Sequence, residues 1–122
     1  MAKVLLIGLP QNDAFQLRRN VELLGCDAEV LPYSAKGIEE RPADVIFASG
    51  DEPMCMKLLS RIRARNPEKP FVVVSRVAEA DGWIQALEAG ATDYCPSSVD
   101  RAQLSWIIQN ARPKQNVATA AA

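Results

Sequence analysis

Short apolar runs alternate along this chain with stretches of helical spacing, and that alternation limits the folds open to it more than any single residue does. The runs are Lys3–Ile7, Asp27–Leu31, Asp44–Ala48, Phe71–Val74 and Asp93–Cys95. The central ones are continuously apolar, as in parallel strands buried on both faces. After the first run, from Asn12 or Asp13 as N-cap, apolar residues recur at Ala14, Leu17, Val21 and Leu24, and Gly25 supplies a stop. Pro53 suits the first turn of a helix running to about Asn66, with Leu58, Leu59 and Ile62 on one face. Glu79–Ala89 reads as a helix with Ala80, Ile84 and Leu87 inward, stopped by Gly90. Asp100 caps a last helix with Leu104, Ile107, Ile108 and Ala111 inward, ended by Pro113.

Five β–α units of this kind predict an α/β fold: a five-stranded parallel sheet of flavodoxin-like order 2-1-3-4-5, helices on both faces, and a site at the ends of strands one and three. Only Pro32–Ala43 joins the second and third strands, so the second helix is expected to be shortened to a turn or two around Ile38, or to be an irregular loop. Residues 1–112 form the expected domain, and 113–122, polar and then alanine-rich, a flexible tail or linker.

A chain of 122 residues is large enough to bury a core without disulfide or metal staples. A net charge of −1 argues against a nucleic-acid surface. Arg61, Arg63 and Arg65 alternate, so they spread around their helix instead of forming a stripe. No apolar run reaches the roughly 18 residues of a membrane span, and the N-terminus lacks signal-peptide character. Cys26, Cys55 and Cys95 form no CxxC pair and are odd in number, which fits reduced thiols in a cytoplasm. The sequence has no histidine, which removes Ser-His and Cys-His nucleophiles and most zinc sites. In "PMCMK", soft sulfur ligands would suit Cu(I), but Met54 and Cys55 fall on a helix turn whose apolar face must be filled, so core packing is expected.

Several segments carry a resemblance. "PADVIFAS" has Pro-Asp and a four-residue apolar run before Ser49, and Pro53 follows four residues later. "PFVVVS" ends a strand in Ser75, and "ALEAGATDY" is the most specific segment. With Gly25 closing the first helix, the span from Lys3 to Ala111 resembles the response-regulator receiver domain, CheY-like. The resemblance implies five functional positions: two Mg²⁺-holding acids after the first strand, a phosphoryl-accepting Asp, a Ser/Thr and a Lys. Here they fall on Gly8 and Leu9, Ser49, Ser75 and Ser97, and only Ser75 keeps its type.

Mg²⁺ prefers hard oxygen ligands. Phosphoryl transfer rests on positioning and charge neutralisation, and each lost contact costs about 3 kcal/mol. The resemblance therefore implies a pseudo-receiver without enzymatic chemistry or Mg²⁺, signalling by phosphorylation-independent protein contact. Two other readings stay open: a small-molecule or nucleotide site in the vacated pocket, although "IGLPQN" is not GxGxxG, and a phosphorelay receiver with Asp51 as displaced acceptor.

Asp51 and Glu52 read either as pocket acids or as loop charges favouring a helix N-terminus. Asp13 reads as a cap. Arg76 stands where the family has a small residue, so its guanidinium either covers the pocket and pairs with Asp51 or Glu52, or points to solvent. Ser75 and Tyr94 match the family's Ser/Thr and aromatic that report phosphorylation. Trp83 and Trp106 miss the inward sets. With Tyr94 they mark the last two helices and last strand, the surface with which receivers grip a partner protein, an output domain or a second copy.

Overall fold

The computed structural model describes residues 2–76 and 80–111. The expected helix start at Glu79, the inward side chain of Ala80, the stop at Pro113 and the tail lie outside the described residues. Strands β1 (Lys3–Ile7), β2 (Asp27–Leu31), β3 (Val45–Ser49), β4 (Phe71–Ser75) and β5 (Asp93–Pro96) alternate with helices α1 (Gln11–Leu23), α2 (Met54–Arg65), α3 (Ala80–Glu88) and α4 (Arg101–Ala111). Every strand pair is parallel, and the order is β2-β1-β3-β4-β5. This is the expected flavodoxin/CheY-like architecture. The shortened second helix is one 3₁₀ turn, Ile38–Glu40, seated by fully buried Ile38.

Alternate residues of each strand feed two cores. Val4, Leu6, Phe47, Val72 and Val74 meet Leu17 and Val21 of α1 and Leu104, Ile107 and Ile108 of α4. Leu5, Ile7, Ile46, Phe71 and Val73 meet Ile38, Cys55, Leu58, Leu59 and Ile62 on the other face. Burying each such large aliphatic side chain contributes about 1.5–3 kcal/mol.

Two local expectations are corrected. Helix α1 begins at Gln11, after Pro10, without a side-chain cap, so Asp13 sits in the first turn and is not the cap. Proline at the entry fixes φ without needing a capping hydroxyl or carboxylate. On α3, Ile84 and Leu87 face outward, 52% and 41% exposed, and buried Ala86 packs in their place.

The basic end of α2 is engaged within the molecule. Arg61 pairs with Glu39 at 3.0 Å. Arg63 donates to the carbonyls of Gly90 at 2.8 Å and Lys69 at 2.7 Å, tying α2 to the turn after α3. Cys55 is buried in the core, as expected, whereas Met54 is only half-buried and Met56 is 40% exposed. The three cysteines are unpaired. Among the described residues no helix is long and apolar enough to cross a membrane.

Candidate functional site

The order of the strands reverses between β1 and β3, so a crevice opens beyond their carboxyl ends. Gly8 follows β1 there with φ +68°, and its N–H donates to the Leu31 carbonyl at 2.9 Å. A methyl group at Gly8 would collide with Cε2 and Cδ2 of Tyr33. Glycine is thus required twice, for backbone handedness and for space.

Tyr33, which the sequence reading did not single out, lies in the crevice. It follows β2, lies across Gly8, and donates its hydroxyl to the Ser49 carbonyl at 2.6 Å. Burial pushes its phenol well above the ordinary range, reinforced by the neighbouring Cys55 thiol. Burial likewise raises the Cys55 thiol. The warning in the sequence was a large aromatic soon after the second strand, but nothing in its spacing aims the ring at Gly8. A recess of about 490 Å³ lies beside the ring, lined by Gly8, Leu9, Val30, Leu31, Pro32, Tyr33 and Glu52.

Ser49 is buried at the end of β3. Ser75, also buried, ends β4 and donates its hydroxyl to Asp51 Oδ1 at 2.8 Å, while the Arg76 N–H donates to Asp51 Oδ2 at 2.9 Å. The Ser97 N–H donates to the Ser75 carbonyl at 2.9 Å, so Ser97 is held at the end of β5. Arg76 matches neither alternative in full: its side chain is 61% exposed, as for a residue pointing to solvent, yet it is paired. Its guanidinium Nε lies 3.2 Å from Asp13 Oδ2, and only its backbone N–H reaches Asp51. Asp13, in the first turn of α1, lies within reach of the residue that follows β4, and both Asp51 oxygens already accept hydrogen bonds. Glu52 borders the recess beside Tyr33.

These residues do not fit Mg²⁺. Gly8, Leu9 and Ser49 bring no carboxylate, the tyrosine ring occupies the space at Gly8, and among the described residues no group of three or more acids, cysteines or histidines gathers to hold a metal.

Tyr94 is half-buried on β5, and a methyl group at Gly82 of α3 would come within 3.0 Å of its hydroxyl oxygen. Beyond that contact, Trp83 is 50% exposed beside Ile84 and Leu87. Trp106, on α4, is 61% exposed.

No protein-family model matches the chain, and no curated protein does. Solved structures match well. The beryllofluoride-activated NtrC4 receiver domain dimer is 18% identical with a TM-score of 0.79, over 92% of this chain and 97% of that one. A response regulator receiver domain protein from Clostridium thermocellum is 21% identical with a TM-score of 0.77, over 96% and 98%. Full-length FixJ from B. japonicum is 15% identical with a TM-score of 0.77, over 90% of this chain but 57% of that one. A two-sided core, a 2-1-3-4-5 parallel sheet and these likenesses together give the chain the fold of the CheY-like response-regulator receiver domains.

Proposed function

We propose that this chain is a pseudo-receiver: a signalling domain that acts by protein contact and without phosphorylation, Mg²⁺ or any enzymatic step. The observation that carries the reading is Tyr33. Its ring lies against Gly8 and its hydroxyl bonds to the Ser49 carbonyl, so a half-buried side chain takes up space beside two of the positions that resemble the metal-holding acids and the phosphoryl acceptor. The positions that resemble the receiver acids and lysine, Gly8, Leu9, Ser49 and Ser97, hold no charge. Transferring a phosphoryl group without those charges forfeits the largest source of transition-state stabilisation. Asp51 is a poor substitute acceptor, since both its oxygens already accept hydrogen bonds.

The contact surface in this reading is the side formed by α3, β5 and α4. Trp83, Ile84 and Leu87 stand out from α3, and Trp106 from α4. Large aromatic and aliphatic groups left in water are what a protein interface buries. Receivers of this fold occur as a dimer and within a full-length regulator, so the partner is a second copy or an output domain, and the setting is cytoplasmic signal transduction.

Incubation with Mg²⁺ and a small-molecule phosphodonor, followed by intact-mass measurement, tests the reading. No added phosphoryl group is expected. A stoichiometric adduct on Asp51 would overturn it in favour of a displaced acceptor.

A further inference from the structure

We propose that Asp51 is a permanent latch that fixes the end of β4 and, through it, the α3–β5 face in a single state. The inference rests on the proposed function, because that face is the contact surface only on that reading. Its own support is geometric. One carboxylate, in the loop after β3, accepts from the Ser75 hydroxyl at 2.8 Å and from the Arg76 N–H at 2.9 Å. Bonds to an ionised acceptor are stronger than neutral ones. The Arg76 guanidinium then reaches Asp13 on α1 at 3.2 Å. Three segments that follow different strands are thereby tied together.

Ser75 is the hub of this arrangement. Its side chain is turned to Asp51, while its carbonyl accepts the Ser97 N–H at 2.9 Å and its backbone lies in register with Pro96. Ser75 is therefore level with Pro96, the last residue of β5. Two residues earlier on β5 stands Tyr94, whose hydroxyl lies against Gly82 of α3. Asp51, Ser75, β5, Tyr94 and Gly82 form one contiguous set of contacts, along which the latch would act on the α3 side. A phosphoryl group is transient, whereas an aspartate in the chain is present always. Ser75 is thus engaged without a trigger, which on this proposal holds the face beyond it in one state.

Amide NMR and hydrogen exchange on the intact chain test the latch with three variants: Asp51→Ala, Asp51→Asn and, as a control, Glu52→Ala. The alanine variant should shift Ser75 and Ser97, and also the distant Gly82 amide and Trp83 indole, and should speed exchange of the Ser97 amide about tenfold. The asparagine variant keeps one acceptor oxygen and should move the same signals less, in the same direction. It carries the test alone if Asp51→Ala does not fold. Glu52→Ala should leave all of them in place. Changes confined to residues 50–53 and 75–76, with Gly82, Trp83 and Tyr94 unmoved, would overturn the latch and leave the proposed function standing. A phosphoryl adduct on the unaltered chain would do the reverse.

Discussion

Helices α2 and α3 lie on the same face of the sheet, yet they use their apolar residues in opposite ways. Helix α2 buries Cys55, Leu58, Leu59 and Ile62. Helix α3 approaches β5 through small residues, with Gly82 against Tyr94 and Ala86 in the core, and leaves Trp83, Ile84 and Leu87 outside. A helix seated by glycine and alanine holds its large side chains away from its own core. The contrast separates apolar residues that build the fold from apolar residues free to meet something else.

That contrast sets a stability difference. Leu58→Ala should cost about 3 kcal/mol, because a fully buried side chain is removed from a packed site. Leu87→Ala, at 41% exposure, should cost less than about 1 kcal/mol. Urea titrations of the two variants measure it, and equal losses would erase the distinction between the helices.

The crevice at Gly8 is the next place to press. Gly8→Ala should destabilise by about 2 kcal/mol or more, since the methyl group meets Tyr33 and the backbone is left-handed. Pairing it with Tyr33→Ala in a double-mutant cycle should recover the steric part of that loss.

Tyr33→Phe should cost about 1 kcal/mol at neutral pH by removing the bond to Ser49. The pH dependence has a definite sign. Burial holds the folded phenol above its ordinary 10.0. The unfolded chain therefore loses that proton first, and stability falls as pH rises past about 10. Denaturation midpoints between pH 8 and 11 should decline more steeply for the unaltered chain than for Tyr33→Phe.

The smallest effect is one of access. Cys26 is partly exposed, whereas Cys55 and Cys95 are buried and burial pushes the Cys95 thiol up to about 12. In the folded protein a thiol reagent should modify Cys26 first, and a fast reaction at Cys95 would contradict the packing around β5.

The fold was legible because period and composition agree in most segments. Phe71–Val74 reads as a buried strand and is one, and the short connection after β2 leaves room only for the Ile38 turn. On α3 the same reasoning failed. Periodicity finds an apolar stripe without telling which neighbour covers it, and Ala86 gave a weaker signal than Ile84 and Leu87. The emptiness at Gly8, Leu9, Ser49 and Ser97 was readable as residue types. What occupies the crevice was not, because the Tyr33 contact joins residues distant in sequence. The Asp13–Arg76 pair was hidden for a similar reason: it spans 63 positions, and its geometry depends on where α1 begins.

The central claim is that the crevice no longer takes a metal and a phosphoryl group. Amide NMR with Mg²⁺ and then with beryllofluoride, a phosphoryl analogue, tests it most directly. The account predicts unmoved signals for Gly8, Ser49, Ser75 and Ser97 through both additions, and a saturable shift at these residues would contradict it.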